Sequence, residues 1–203
     1  MEAQKTASLN IAIFASGAGS NAEKIIQHFS QKHLQSVAKI ALIVCNKPEA
    51  GVLQIAAAHS IPTLLIEKEQ FFRGDSYLAE LNEHAIQFIV LAGFLWKVPL
   101  SLIEAYPRRI VNIHPALLPK WGGKGMYGSF VHEAVIGAAE PQSGITIHYV
   151  DEHYDHGDVI FQATCPVSST DTAESLAQKV HVLEHQYYPE VIEQVVKELT
   201  VDR

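Results

Sequence analysis

The sequence has few cysteines, no dense basic run and no long apolar segment, and each absence removes a class of protein. The 203 residues include two cysteines, Cys45 and Cys165, which lie far apart along the chain. We expect both to be small core residues in a reducing compartment, so neither a disulfide framework nor a cysteine nucleophile is predicted. Fifteen basic against 22 acidic residues give a net charge of −7, which argues against a nucleic-acid partner.

The apolar residues do not gather into a segment that crosses a membrane. No stretch approaches the roughly 18 apolar residues of a spanning helix, and the start, "MEAQKTASLN", lacks the apolar core of a signal peptide. We therefore expect a soluble cytoplasmic protein without a membrane partner. Because 48% of the residues are hydrophobic and 18% charged, the composition is that of a globular chain, and its length favours a single domain, 1–203.

Short β-branched runs alternate with stretches of helical periodicity as far as residue 114. This alternation is typical of βαβ units, and it predicts an α/β fold with a Rossmann-like, mostly parallel sheet and helices on both faces. The nearly unbroken apolar strands indicate that both faces of the sheet are covered. Strands are predicted at 9–15, 39–45, 62–66, 87–93 and 110–114, and helices at about 21–34, 51–59, 70–85 and 99–106.

The pattern changes after residue 115. A glycine-rich loop precedes a predicted helix at about 129–138, and strands predicted at 144–150 and 158–167 flank the polar stretch "DEHYDHG". Two strands with a short polar connection indicate an antiparallel addition to the sheet. A long C-terminal helix is expected from Thr172 to about Leu199, with capping candidates at 169–171.

The stretch "ASGAGSNAEK" joins the first strand to the first helix. Its glycines permit a tight turn, Ser20 and Glu23 fit a capping box, and the N–H groups at a helix start form an anion site. We expect a phosphate there. The glycine spacing also fits a loose dinucleotide pattern, but Asn46 and Lys47 stand where such a site needs an acid, so a dinucleotide is disfavoured.

The segment "NIHPALLP" places Asn112 and His114 two residues apart at the end of a strand. Residues at this spacing project from the same face, and Pro115 ends the strand. Ligands gather at the carboxyl ends of parallel strands, where the glycine loop is also expected. Asp151 and Asp155 could fold over the same edge, and a carboxylate beside His114 would raise its pKa toward neutrality or above.

A metal site is the competing interpretation of the histidines and aspartates in the second half. If "DEHYDHG" is a turn, its side chains are expected to diverge, and no metal-binding helix spacing supports them, so no metal is predicted. His148 is expected to be a structural residue inside its strand. The candidate ligands are His148, Asp151, His153, Asp155 and His156.

Three segments together resemble the folate-dependent formyltransferases: "SGAGSN", "LAGFLWKVP" with "NIHPALLP", and "GITIHYVDEHYDHGDVIFQ". The resemblance runs from about residue 10 to residue 192. It implies transfer of a formyl group from 10-formyltetrahydrofolate to the glycine amine of 5-phosphoribosylglycinamide in purine biosynthesis, without a metal. It implies small-molecule partners, and the sequence leaves open whether the protein is a monomer or a homodimer.

The resemblance also assigns residues to roles. Asn112, His114 and Asp155 match the catalytic residues, with Asn112 and a protonated His114 as donors to the oxyanion of the tetrahedral intermediate. The substrate-binding positions are Gly19, Ser20, Asn21 and Glu184, and the folate-binding positions are Arg73, Leu95, Trp96, Lys97, Val98 and Asp151.

Two features leave alternatives open. Leu95 and Trp96 stand where many relatives have Met-Arg, and Trp96 could simply pack in the core. The loop "WGGKGMYGS" is longer and richer in glycine than the common form, which leaves contacts from Lys124 and Met126 open. The rival functions are a formyltetrahydrofolate hydrolase, in which water replaces the amine, and a binding module for nucleotides or phosphates.

Overall fold

A computed structural model describes residues 8–201 of the chain. Residues 1–7, which belong to the start for which no signal peptide is predicted, lie outside the described residues. Seven strands form one sheet in the order β3-β2-β1-β4-β5-β6-β7. The strands are β1 Leu9–Ala15, β2 Ala38–Cys45, β3 Thr63–Leu65, β4 Phe88–Leu91, β5 Ile110–His114, β6 Gln142–Tyr149 and β7 Val159–Pro166. Each predicted strand is confirmed to within about two residues at either end.

The sheet is mostly parallel with an antiparallel addition, as predicted. β1 pairs in parallel with β2 and β4, and β2 pairs in parallel with β3, whereas β6 is antiparallel to both β5 and β7. β1 and β4 are buried along nearly their whole length. Such burial is expected of parallel strands whose two faces are covered by helices.

Helices connect and cover the strands. Their bounds are α1 Ser20–Phe29, α2 Gly51–Ala58, α3 Lys68–Arg73, α4 Leu78–Glu83, α5 Leu100–Ala105, α6 Ser129–Gly137 and α7 Ala173–Val201. The long C-terminal helix is confirmed. Its cap is not among residues 169–171 as predicted but is Thr172, whose Oγ1 accepts a hydrogen bond from the Ser175 N–H (3.2 Å). Among the described residues, no helix is both long and apolar enough to cross a membrane.

Two helix predictions are wrong in their extent. The helix predicted at 21–34 ends at Phe29, where Ser30 donates a hydrogen bond back to the Gln27 carbonyl (2.7 Å) and the chain continues in turns. The helix predicted at 70–85 breaks into α3 and α4. Ser76 has a positive φ of 56°, and its hydroxyl donates to the Phe71 carbonyl. Polar side chains that bond their own backbone favour such turns over helix continuation.

The chain divides into two compact units. The first ends at Phe94, resumes at Ile192 and contains β1 to β4. The second is Leu95–Val191 and contains β5, β6 and β7. The single domain expected from length and composition stays a prediction.

Candidate active site

Strand β5 holds Asn112 and His114 opposite β6 in the second unit. In the antiparallel register, Asn112 faces His148 and His114 faces Thr146. Thr146 fixes the chain that follows β5, because its hydroxyl donates to the Ala116 carbonyl (2.7 Å) and accepts from the Leu118 N–H (3.0 Å). The strand end predicted at Pro115 is thus held in place by a buried hydroxyl.

The His114 imidazole is buried, with 3% of the residue exposed. Its Nε2 lies 2.7 Å from the carbonyl oxygen of Trp121. A carbonyl only accepts hydrogen bonds, so Nε2 carries a proton, and in the neutral ring Nδ1 is the unprotonated nitrogen. Nδ1 lies 3.5 Å from Asp155 Oδ1. The loop after β5 therefore sets the tautomer and leaves Nδ1 for proton transfer.

Asp155 reaches this cluster from the loop between β6 and β7. Its backbone has a φ of 54°, and its Oδ2 accepts a hydrogen bond from the Gly123 N–H (3.0 Å). Burial works to raise the pKa of Asp155, but the His148 and His114 imidazoles and the Gly123 N–H outweigh it and lower that pKa. Asp155 is therefore a carboxylate at neutral pH.

The prediction that Asp155 raises the pKa of His114 above its ordinary value is wrong. Loss of solvent on burial lowers the pKa of His114, and this outweighs the upward influences of the Asp155 carboxylate and the Trp121 carbonyl. His148 lowers the pKa further. Since an unperturbed histidine has a pKa near 6.5, the free protein holds His114 neutral at pH 7.

His148 belongs to the cluster, although the sequence favoured a purely structural role. Its Nδ1 lies 2.7 Å from the Tyr149 carbonyl oxygen and must donate to it, so Nε2 is the acceptor in the neutral ring. The Asn112 amide nitrogen lies 3.1 Å from that Nε2 and donates one hydrogen to it. His148 Nε2 is also 3.7 Å from Asp155 Oδ1. Residues 112 and 148 are neighbours because β5 and β6 pair in antiparallel register. The role of His148 could be predicted only if that register were known.

The C-terminal helix places Glu184 in the second unit as a buried carboxylate, 5% exposed. His181, one turn earlier, lies 3.7 Å from it. Tyr188 follows one turn later, and its hydroxyl donates to the Val111 carbonyl beside Asn112 (3.3 Å). Burial and the neighbouring Glu184 raise the pKa of Tyr188 well above its usual range. The helix is therefore anchored to β5 by a neutral phenol.

The glycine loop lies in the first unit, between β1 and α1. Gly19 precedes the helix with a φ of 85°, and a Cβ there would lie 2.8 Å from the Val52 Cβ. The predicted capping box is wrong, because the helix begins at Ser20 itself and no side chain caps it. Because no side chain caps α1, the backbone N–H groups of its first turn, which begins at Ser20, are the hydrogen-bond donors at this helix end. Gly19, Ser20 and Asn21 are half-buried.

The residues predicted to bind folate lie in different settings. Leu95 and Lys97 are exposed, Trp96 is half-buried and Val98 is buried, all in the second unit. In the first unit, Arg73 is exposed at the end of α3 and lies 3.5 Å from Glu69.

The loop from 151 to 156 differs from its prediction. The side chains of Asp151, His153 and His156 converge, with one potential ligand atom of each within 4.8 Å of the others. Asp151 accepts hydrogen bonds from the His153 N–H and from His156 Nδ1, both at 2.8 Å. Burial works to raise the pKa of Asp151, but these neighbours lower it. The divergence expected of a turn is therefore wrong for these three, because Asp151 draws its neighbours inward.

Comparisons with known proteins give matches over nearly the whole chain. The model of the formyl transferase family matches residues 9–192. Phosphoribosylglycinamide formyltransferase of Bacillus subtilis (strain 168) is 37% identical over 189 residues, which are 91% of this chain and 93% of that protein. The crystal structure of phosphoribosylglycinamide formyltransferase from Bacillus halodurans is 39% identical with a TM-score of 0.82, and the match covers 92% of this chain and 95% of that one.

Plant relatives are longer. The chloroplastic phosphoribosylglycinamide formyltransferase of Vigna unguiculata is 43% identical over 197 residues, and that of Arabidopsis thaliana is 40% identical over 193. These matches cover 95% and 93% of this chain, which spans 62% and 65% of the two plant proteins. From the family match and the full-length bacterial relative, the chain belongs to the formyl transferase family.

Proposed function

We propose that the protein transfers a formyl group from 10-formyltetrahydrofolate to the glycine amine of 5-phosphoribosylglycinamide, a step of purine biosynthesis. One observation carries the proposal: Asn112, His114 and Asp155 lie in one largely buried cluster. Asn112 is hydrogen-bonded to His148, and Asp155 lies 3.7 Å from His148 and 3.5 Å from His114. Acyl transfer to an amine needs such a cluster, since it generates an oxyanion and moves a proton. The named bacterial relatives carry the same activity in their names.

In the proposed reaction, the amine nitrogen bonds to the formyl carbon, and the bond from that carbon to N10 of the folate breaks. The Asn112 amide donates one of its hydrogens to His148 Nε2, and its second hydrogen is available to the oxyanion. Neutral His114 accepts the proton that the amine loses, and it returns this proton to the leaving N10. The whole sequence needs no covalent enzyme intermediate and no metal.

Asp155 stabilises the imidazolium that exists between these two proton transfers. Its carboxylate is ionised and lies 3.5 Å from His114 Nδ1. The protonated ring then has Nε2 donating to the Trp121 carbonyl and Nδ1 beside the Asp155 carboxylate. Burial keeps the ring neutral before the reaction, and Asp155 limits the cost of charging it during the reaction.

The substrate-binding roles remain proposals. The N–H groups at the start of α1, with Gly19, Ser20 and Asn21, would hold the phosphate of the phosphoribosyl substrate. Glu184 would accept hydrogen bonds from polar groups of that substrate. Folate would contact Leu95, Trp96, Lys97, Val98 and Asp151, with Arg73 for its glutamate tail.

The family model supports one functional domain, since it covers residues 9–192 without interruption. The predicted cytoplasmic location stays a prediction, and the two plant relatives are named as chloroplastic. The hydrolase alternative is not favoured, because the relatives are named as transferases.

A direct assay tests the proposal. Purified protein is incubated with both substrates, and the products are separated by chromatography while folate turnover is followed by absorbance. We expect formylated product in equal amount to the tetrahydrofolate released, and negligible turnover without the amine. Rapid folate turnover without the amine would instead identify a hydrolase. Phosphate-ester binding without any turnover would identify a binding module.

A further inference from the structure

The loop between β6 and β7 contains two histidines that the proposed formyl transfer does not use. His153 and His156 flank Asp155 in the sequence, and they lie with Asp151 in one group. Their ligand atoms, two imidazole nitrogens and one carboxylate oxygen, are within 4.8 Å of one another. The two imidazole rings have centroids 5.4 Å apart.

We propose that Asp151, His153 and His156 bind a divalent transition-metal ion of the zinc class. Imidazole nitrogen and carboxylate oxygen are common zinc ligands, and three protein ligands leave a further position for water. Two imidazoles out of three donors disfavour Mg²⁺ and Ca²⁺, which prefer oxygen ligands. The site shares Asp151 with the proposed folate-binding positions, whereas His153 and His156 have no part in the chemistry proposed for His114, Asn112 and Asp155.

The separations fit an ion after small side-chain rotations. Ligand atoms at about 2.1 Å from one zinc lie roughly 3.4 Å apart in tetrahedral geometry. His156 Nδ1 and Asp151 Oδ2 are already 2.8 Å apart. The largest separation, at most 4.8 Å, must shrink by up to about 1.4 Å for the same bond lengths. Because 64% of the His153 side chain and 73% of the His156 side chain are exposed, both rings can rotate without disturbing the core.

The charge around the loop independently favours a cation. The sequence from 125 to 178 contains no lysine or arginine, while the loop itself contains four carboxylates, at 151, 152, 155 and 158. Arg108 lies over the Tyr149 ring, but its guanidinium is paired with Asp158 at 2.7 Å. Glu152 Oε1 is 4.0 Å from His153 Nδ1. A cation at residues 151, 153 and 156 therefore enters a field of net negative charge.

A bound ion would restrain the loop that presents Asp155. Asp155 lies between the two histidines and has a positive φ, so its carboxylate depends on the conformation of this short segment. Joining residues 151, 153 and 156 through one ion removes conformational freedom from the segment. The site would thus stabilise the folded loop when metal is present.

Calorimetric titration of the full chain with Zn²⁺ alone, without substrates, tests the proposal. We expect one ion per chain, and a loss of zinc affinity of roughly 10²-fold or more in His153→Ala and in His156→Ala. Mutation of residues that only hydrogen-bond to a metal ligand already lowers metal affinity about 10- to 100-fold, so the loss of a ligand should cost at least as much. His33→Ala, which removes another exposed histidine, is the matched control and should keep wild-type affinity. Mg²⁺ should give no binding.

Thermal unfolding supplies the second measurement. Zn²⁺ should raise the Tm of the wild type and of His33→Ala, but not of the double variant of His153 and His156. The Tm values without zinc establish that the variants fold. Absent binding in the wild type, or equal affinity in all variants, would overturn the proposal. Formyl transfer is not part of either measurement, so its failure would be seen separately in the product assay.

Discussion

Two loops of this protein follow buried strands and use opposite means to present polar groups. The glycine loop, residues 16–19, is followed by backbone N–H groups at the start of α1, and no side chain caps that helix. The loop between β6 and β7, residues 150–158, presents side chains: Asp155 faces His114, and Asp151 faces His156. The first loop therefore leads into a row of backbone donors, whereas the second presents individual charged groups.

The largest effect is expected where a side chain does chemistry. Asn112→Ala should lower kcat by roughly 10² or more, because losing one donor to an oxyanion commonly costs that much. His114→Ala should lower kcat by roughly 10² or more as well, because general acid–base catalysis commonly contributes about that much. The KM of the phosphoribosyl substrate should change less. Steady-state kinetics of the purified variants provide the measurement, with His33→Ala as a control of wild-type turnover. Near-normal kcat in either variant would contradict the assigned roles.

The charge of the second loop is tested by Asp155→Asn. The acid limb of the kcat/KM profile should reflect His114, since activity rises as the ring loses its proton, at a pH below the ordinary 6.5 or so. Asp155 raises the pKa of His114, so removing its charge should lower that pKa and move the limb to lower pH. Turnover should also fall, because the imidazolium loses its partner. An unchanged limb would argue against the pairing.

Some features of the candidate site can be predicted from the sequence, and others cannot. The grouping of Asn112 and His114 follows from strand periodicity and from Pro115, and the parallel strands follow from their apolar runs. The protonation of His114 does not follow, since its direction depends on how burial balances against Asp155. The role of His148 depends on the antiparallel register between β5 and β6, which local sequence does not define.

The errors in local structure have a common physical origin. Residues 70–85 have helical periodicity, yet the Ser76 hydroxyl bonds the Phe71 carbonyl and ends the helix. Asp151 similarly captures the His153 N–H and the His156 ring, which turns an expected divergent loop into a cluster. Short polar side chains compete with regular structure in ways that periodicity does not detect.

The backbone character of the first loop is tested by Gly19→Ala. The new Cβ would lie 2.9 Å from the Val52 Cα, and the alanine would have to adopt a φ of 85°. We expect a loss of about 1–3 kcal/mol in unfolding free energy and a raised KM for the phosphoribosyl substrate. Gly17→Ala is the matched control, because its Cβ would meet no atom within 4 Å. Urea unfolding that fails to separate the two variants would contradict the steric account.

The smallest effect on stability is expected for Ser20→Ala. Ser20 is the first residue of α1 rather than its cap, and no side chain caps this helix, so no capping bond is lost. The unfolding free energy should change by less than about 0.5 kcal/mol, the usual range for surface substitutions. The KM of the phosphoribosyl substrate should rise while folate binding stays unchanged, because the hydroxyl would contact only the phosphate. A loss near 1 kcal/mol would indicate that Ser20 does cap the helix. Equal effects on the binding of both substrates would contradict the proposal that the phosphate binds at this helix end.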